Sequence, residues 1–95
     1  MGGPVLVTHA VLLTPEDPTR FGYVVSKKVG NAVTRNTVTR RLKAISDELL
    51  REGCMGADVV FRAQPASAHT DFHALKAEVQ RHLHKLGIVS FKETL

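Results

Sequence analysis

The sequence predicts a small α+β protein, built as a two-layer α/β sandwich in the order β-β-α-β-α. The chain has 95 residues, which suffices for one domain with a single thin core. Short runs rich in β-branched residues are interspersed with two longer segments whose apolar residues recur every three or four positions. We therefore expect one domain over residues 1–95, with its core within residues 5–86 and a tail over 88–95.

The first two elements are predicted to be strands. Val5–Leu13 is rich in β-branched residues and too short for an amphipathic helix. Arg20–Lys28 reads as the second strand, after the loop Thr14–Thr19 with its two prolines. Because this loop is short, we expect the two strands to form an antiparallel hairpin.

Alternation along the second strand predicts one packed face and one open face. Phe21, Tyr23 and Val25 share a side of the strand, and their bulk favours packing under helices. The intervening residues are small or polar and would form the floor of a solvent-filled groove; they are Gly22, Val24, Ser26 and Lys28.

The third element is a helix with recognisable ends. Asn31 is a plausible N-cap, and the helix is expected to run to Arg51 or Glu52 and to end near Gly53. Its apolar residues recur at spacings of four, three and four and form one stripe; they are Val38, Leu42, Ile45 and Leu49.

The last two elements complete the sandwich. Ala57–Ala63 reads as a third strand of the same sheet, with both helices on one face. Pro65–Thr70 is predicted to be a loop, and Asp71 to cap a helix that continues through Leu86. The stripe of that helix is Phe72, Leu75, Val79, Leu83 and Leu86. No element is assigned to residues 88–95.

The positive charge of the chain is concentrated in one segment. The formal net charge is +4, but Arg20–Ser46 holds seven of the 13 Lys and Arg residues and no Asp or Glu. The remainder carries six cations against nine acids. This pattern excludes a diffuse polycation and favours a polyanionic partner at one surface.

Helical periodicity places part of this charge on a single face. Arg35, Asn36, Arg40 and Lys43 fall within about 140° of arc, away from the apolar stripe, whereas Arg41 stands apart. Guanidinium groups bind phosphate in bidentate fashion, ammonium groups act as point charges, and an amide suits a sugar hydroxyl or a base edge. The strand end adds Ser26, Lys27 and Lys28.

Other chemistries find little support in the sequence. The single cysteine, Cys54, cannot form an internal disulfide and indicates a reducing, cytoplasmic setting. No apolar stretch is long enough to span a membrane. The histidine pairs His69/His73 and His82/His84 lack further ligands, so we expect solvated helix histidines and no metal site. No arrangement of side chains indicates catalysis.

The segment RFGYVVSKKVGNAVTRNTVTRRLK closely resembles the signature of the bacterial ribonuclease P protein component. The likeness extends more weakly through DVVFRAQP and the last helix. It implies an RNA-binding domain whose sandwich contains a left-handed βαβ crossover, an exception to the usual hand. It also implies a subunit of an endoribonuclease holoenzyme, a ribonucleoprotein that removes the 5′ leader of precursor tRNA. In that family the partner RNA, with Mg²⁺, performs the hydrolysis, and the protein supplies no catalytic side chain and binds no cofactor itself.

The resemblance also implies a set of RNA-binding residues. Arg35 and Asn36 match the start of the family's Arg-Asn-Arg motif, and its later basic positions match Arg40, Arg41 and Lys43. Ser26, Lys27 and Lys28 match the strand-end motif beside the groove for the leader.

The chain departs from the family pattern in two respects. Thr37 and Thr39 stand where basic residues are frequent, so two phosphate contacts are expected to be lost. The sequence begins Met-Gly-Gly close to the first strand, so the family's N-terminal helix, one wall of the leader groove, is expected either to lie upstream of Met1 or to be missing from a shortened variant. The apolar surface left exposed would favour a homodimer.

Two alternatives stay open at this stage. One is a different ribosome- or RNA-binding module with a basic helix, and the other is a protein-interaction domain whose basic face is incidental. Binding to ribonuclease P RNA, with leader-dependent affinity for precursor tRNA, would distinguish the ribonuclease P subunit from another RNA-binding module. A salt-independent partner, without retention on polyanions, would favour the protein-interaction domain.

Overall fold

A computed structural model describes residues 1–88 of the chain. The α+β class and the β-β-α-β-α order are confirmed. The elements are β1 (Leu6–Leu12), β2 (Arg20–Val24), α1 (Ala32–Arg51), β3 (Ala57–Ala63), a short 3₁₀ helix (Pro65–His69) and α2 (Phe72–Lys85). The 3₁₀ helix lies within the predicted loop, and it begins at a proline, whose fixed φ suits a first helical position.

The three strands form one sheet in the order β1-β3-β2, so the predicted β1–β2 hairpin is wrong. β3 pairs antiparallel with β1 and parallel with β2. The central position of β3 follows from its side chains, since Phe61 is completely buried and stacks on Phe21 and Tyr23 of β2, with ring centroids 5.8 and 6.4 Å apart. Phe61 thus contacts the neighbouring strand as well as the core under the helices.

The loop between β1 and β2 closes over the start of β3 instead of forming a tight turn. Leu13 N–H donates to the Gly56 carbonyl at 2.8 Å, and Gly56 N–H donates to the Asp17 carbonyl at 2.7 Å. Gly56 has φ +86°, and a Cβ there would lie 3.4 Å from Pro15 Cα. Glycine therefore suits this close approach of two backbones.

Both helices cover the same face of the sheet, as predicted. The core between the layers holds the α1 stripe, β3 residues such as Val59 and Phe61, and the middle of α2. The buried apolar residues of the helices are Val38, Leu42, Ile45, Leu49, Leu75, Val79 and Leu83. Because β2 and β3 are parallel neighbours joined through α1, they form a βαβ unit. The left-handed crossover of this unit remains a prediction from the family resemblance.

The ends of the helices agree with the sequence signals. The Asn31 side chain accepts from Thr34 N–H at 2.9 Å, and the Asp71 side chain accepts from Ala74 N–H at 2.8 Å. Each cap satisfies an N–H group that has no partner inside its helix. The helices end within two residues of the predicted positions, before Gly53 and Gly87, which both have positive φ.

The second strand ends earlier than predicted, at Val24. Lys27–Val29 forms a turn in which Val29 N–H donates to the Ser26 carbonyl at 3.0 Å, and the Val29 side chain is buried. The predicted separation of faces nevertheless holds. Phe21, Tyr23 and Val25 pack against the core, whereas Val24 is exposed on the sheet face without helices.

One expectation about the histidines is wrong, because His82 is buried and not solvated. Its Nδ1 is hydrogen-bonded to Thr8 Oγ1 of β1 at 2.7 Å. The neighbouring Glu78 carboxylate is also buried, and its Oε2 accepts from the N–H groups of Val5 and Leu6 at 3.1 and 2.8 Å. Two polar residues of α2 thus hold the start of β1.

The end of the core extends to Ile88, which is buried and donates its N–H to the Leu83 carbonyl at 2.8 Å. Residues 89–95, which the predicted tail includes, lie outside the described residues.

Candidate nucleic-acid interface

The exposed face of α1 carries an open groove of about 460 Å³. Its lining residues are Val33, Asn36, Thr39, Arg40 and Lys43; we call it the helix groove. Asn36, Arg40 and Lys43 are three of the predicted site residues, and all three are exposed. Val33, which also lines the groove, is 75% exposed. The groove thus combines positive charge, an amide and an apolar contact on one face.

A second, more enclosed groove of about 260 Å³ lies where β2 and β3 end side by side. Its lining residues are Val24, Ser26, Lys28, Arg62, Ala63, Gln64 and Pro65; we call it the strand-end groove. It brings the predicted residues Ser26 and Lys28 together with the guanidinium of Arg62 and the amide of Gln64. The carboxyl ends of neighbouring parallel strands are a frequent position for ligands in α/β sheets.

Arg62 and Gln64 were missed by the sequence reasoning, which confined the basic region to residues 20–46. The parallel register sets Arg62 directly beside Val24, so the guanidinium lies on the open face of the sheet. Alternation along Ala57–Ala63 could have indicated that Arg62 is exposed, since it points Arg62 to the face opposite to that of the buried Phe61. That β2 lies next to β3, and so brings Ser26 and Lys28 close to Arg62, follows only from the order of the strands in the sheet.

Acidic side chains neutralise cations elsewhere and leave these grooves positive. Within residues 1–88 the Lys and Arg residues in ion pairs are Arg20 with Asp58 (2.7 Å), Lys76 with Glu48 (2.7 Å) and Arg81 with Glu78 (2.9 Å). Hydrogen bonding to Arg20 lowers the pKa of Asp58, and hydrogen bonding to Lys76 lowers the pKa of Glu48. None of the cations predicted to bind RNA is among these pairs. Their charge is therefore available to a polyanion.

Arg35 has an unmet hydrogen-bonding group. Its side chain is half-buried, and the buried Nε has no partner among the described residues. Such buried donors are rare in native proteins because the lost hydration is costly. An acceptor brought by a bound molecule would satisfy it.

Thr37 and Thr39, which stand where basic residues were expected from the family resemblance, hydrogen-bond to the backbone of their own helix. Thr37 Oγ1 donates to the Val33 carbonyl and Thr39 Oγ1 to the Arg35 carbonyl, each at 3.0 Å. Their hydroxyl protons are thus used within α1. Neither residue supplies the positive charge found at these positions in the family signature.

Arg41 has a different environment from the other cations. It is half-buried, and its Nη1 donates to the Thr70 carbonyl at 2.8 Å, at the start of α2. This agrees with its separate position on the helical projection. Lys27 is exposed in the turn after β2.

The described residues gather no other reactive group. No cluster of three His, Cys, Asp or Glu side chains is placed to hold a metal ion within residues 1–88. Cys54 lies in the core, beside Thr19. None of the described helices has both the length and the apolar character needed to cross a membrane.

Comparison with known families decides the relationship. The family model described as Ribonuclease P matches residues 2–87. The chain belongs to the ribonuclease P protein family. It is 49% identical over 71 residues to the ribonuclease P protein component of Clavibacter michiganensis subsp. michiganensis, covering 74% of the chain and 63% of that protein. The component of Kocuria rhizophila is 52% identical over 67 residues, covering 70% and 59%. The chain thus matches about three fifths of the length of these ribonuclease P protein components.

Solved structures of this family share the fold. The ribonuclease P protein of Thermotoga maritima superposes with a TM-score of 0.77 at 21% identity, covering 90% of the chain and 80% of that protein. The Staphylococcus aureus ribonuclease P protein gives 0.76 at 22% identity, covering 95% and 81%. The sandwich described above is therefore the ribonuclease P protein fold.

Proposed function

We propose that the chain acts as the protein subunit of ribonuclease P, the endoribonuclease that removes the 5′ leader from precursor tRNA. The observation that carries this proposal is the separation of charge on a ribonuclease P protein fold. None of the Lys and Arg residues that form ion pairs within residues 1–88 is a predicted RNA-binding residue. Phosphate contacts from such unpaired Lys and Arg residues provide most of the affinity of proteins for nucleic acids.

The two grooves suit two parts of an RNA assembly. We assign the helix groove to the catalytic RNA, because a rigid helix with Arg40, Lys43 and Asn36 can meet phosphates and a sugar hydroxyl or base edge. We assign the strand-end groove to the single-stranded 5′ leader. Its enclosed floor with Ser26, Lys28 and Arg62 suits one extended strand better than a duplex.

The protein is proposed to contribute binding, while its RNA partner performs the hydrolysis with Mg²⁺. Within residues 1–88 no three His, Cys, Asp or Glu side chains converge on one point. In this proposal Mg²⁺ is bound by the RNA, and no residue of this chain is assigned a catalytic role. The buried cysteine and the tRNA-processing role favour a cytoplasmic location.

A homodimer remains a prediction. Val11 and Leu12 of the edge strand β1 are 64% and 66% exposed, which provides apolar surface for a second copy. Sedimentation equilibrium over a range of protein concentrations measures this directly.

The proposal is tested by cleavage of precursor tRNA with the cognate ribonuclease P RNA at low Mg²⁺, with and without the chain. We expect the chain to increase the cleavage rate, and Arg40→Ala to remove one phosphate contact and so lower the slope of log affinity against log salt by about 0.7–0.9. Lys85→Ala, at the far end of α2, is the matched control and should leave the slope unchanged.

The leader assignment needs a separate comparison. Arg62→Ala should weaken binding of precursor tRNA and leave the affinity for leaderless tRNA unchanged. No stimulation of cleavage together with salt-independent binding would overturn the proposed function and favour a protein-interaction domain. Salt-dependent RNA binding without stimulation would favour another RNA-binding module.

A further inference from the structure

A third groove lies on the other side of Arg40, between α1 and the start of α2, and has a volume of about 290 Å³. Its lining residues are Thr37, Arg40, Arg41, Ala44 and Phe72; we call it the interhelical groove. It differs from the other two grooves in combining two guanidinium groups with an aromatic ring. Arg40 is the one residue that lines both this groove and the helix groove.

The groove is electrostatically suited to a phosphate-bearing ligand. No carboxylate lines it, and two acids near it are engaged elsewhere. Glu48 is paired with Lys76, and Asp71 caps α2 through Ala74 N–H. Arg40 is exposed and forms no ion pair within residues 1–88; its contact there is Nη2 to Thr37 Oγ1, at 3.4 Å.

Arg41 is held in place before any ligand arrives. Its Nη1 is bound to the Thr70 carbonyl at 2.8 Å, so its planar guanidinium has already lost much of its conformational freedom. One bond of this kind leaves the other N–H donors of the fork for a ligand. A preorganised guanidinium plane loses less entropy on binding than a mobile side chain, and such planes stack on nucleobases.

Phe72 supplies an aromatic surface at the same place. It is half-buried, so part of the side chain packs against the core and part remains accessible. Ala44 opposite is exposed and small, which keeps the groove open. An aromatic ring beside fixed and mobile guanidinium groups is the combination that proteins use to bind unpaired bases of single-stranded RNA.

We propose that the interhelical groove binds one unpaired RNA nucleotide, with its base against Phe72 and Arg41 and its phosphate on Arg40. The proposal rests on the proposed function, since it assumes RNA at α1, and it extends the RNA-contacting surface around Arg40 onto α2. Arg41 then contacts a base, which specifies the RNA-binding role that the family resemblance implies for it.

The test compares two probes with the full chain by fluorescence anisotropy. One is a labelled short oligoadenylate, and the other has the same length and phosphate count but abasic sugars. Phe72→Leu, which keeps an apolar side chain and removes the ring, should weaken oligoadenylate binding about fivefold or more and leave the abasic probe unaffected. Lys85→Ala, at the far end of α2, should leave the ratio of the two affinities unchanged.

A second variant keeps the test decisive should Phe72→Leu fail to fold. Arg41→Lys retains the charge and lacks the planar fork, so it should lower the ratio of oligoadenylate to abasic affinity without changing the salt slope. Equal losses for both probes, or no loss for either, in the folded variants would overturn the groove assignment while salt-dependent binding upheld the proposed function. Wild-type chain that binds neither probe in a salt-dependent manner would overturn both.

Discussion

The stability of this protein should fall on mild acidification, because the fold buries His82 in its neutral form. The imidazole is hydrogen-bonded to Thr8 Oγ1 and has almost no exposed surface. Burial lowers the pKa of His82 below its ordinary value of 6.5. The charges of Arg81, Lys85 and the Met1 amine act in the same direction. The Glu78 carboxylate, whose Oε2 lies 3.9 Å from His82 Nε2, opposes them without reversing the shift.

The sign and the size of the effect follow from proton linkage. A group whose pKa is lower in the folded state binds its proton more readily when unfolded, so its contribution to stability is present above pH 6.5 and lost as the pH falls below it. The loss cannot exceed about 1.4 kcal/mol per pH unit for one group. Between about pH 7.5 and 5.5 the free energy of unfolding should therefore fall by up to roughly 1.4 kcal/mol because of His82.

The measurement is urea unfolding at a series of pH values, followed by circular dichroism, for the wild type and for His82→Gln. Glutamine does not titrate in this range, so the variant isolates the buried group from the other histidines, which both proteins share. We expect the difference in free energy of unfolding between the two proteins to shrink as the pH falls, at constant m-value. Parallel pH profiles, or a wild type that gains stability on acidification relative to the variant, would refute this reasoning.

Two further predictions concern packing. Leu42→Ala removes a completely buried side chain of the α1 stripe and should lower the free energy of unfolding by about 2–5 kcal/mol; a loss below roughly 1 kcal/mol in urea unfolding would contradict the packing described here. Gly3→Ala would place a Cβ 2.8 Å from His82 Nε2 and 3.0 Å from Glu78 Oε2, whereas a Cβ at Gly2 meets nothing within 4 Å. We expect Gly3→Ala to cost about 1–3 kcal/mol and the matched Gly2→Ala to be close to neutral in thermal unfolding, and equal melting temperatures would argue against the close approach.

Local signals predicted the elements of this fold better than their pairing. β3 was predicted with its observed bounds, and α1 was predicted from its cap, stripe and terminal glycine, because these signals act within a few residues. The β1–β2 hairpin failed because it was inferred from the length of one loop. β3, which begins more than 30 residues after β2 ends, pairs with both strands and takes the central position between them, where its packed face is buried from Ala57 to Ala63.

The candidate site shows the same division between local and long-range information. Periodicity alone grouped Arg35, Asn36, Arg40 and Lys43 on one face of α1. The last three line the helix groove, whereas Arg35 is half-buried and does not line it. Arg62 could not be joined to Ser26 and Lys28 from the sequence, since their proximity depends on the parallel register of β2 and β3. Register between distant strands is set by the whole core, not by neighbouring residues.

His82 shows a different kind of error, because residue type was weighed above position. On a helical projection it falls about 20° from Leu75, at the border of the apolar stripe that faces the sheet, but a histidine was expected to be solvated. In the structure Thr8 satisfies its imidazole. Glu78 lies one turn earlier on the same border, and backbone N–H groups of the segment leading into β1 satisfy its carboxylate.

Five of the eight acids within residues 1–88 have carboxylates that are occupied by structural contacts. Asp17 accepts from Thr14 in the first loop, Asp71 caps α2, and Glu78 holds the backbone at the start of β1. Asp58 and Glu48 each hold a cation that lies outside the three grooves. Each of these five carboxylates thus has a structural role. A carboxylate placed in a groove instead would remove a contact that stabilises the fold and would lower the positive potential of the groove. The separation of charge seen in the sequence therefore follows in part from how the sandwich is held together, and it leaves α1 and the strand ends with a charge that an RNA can neutralise.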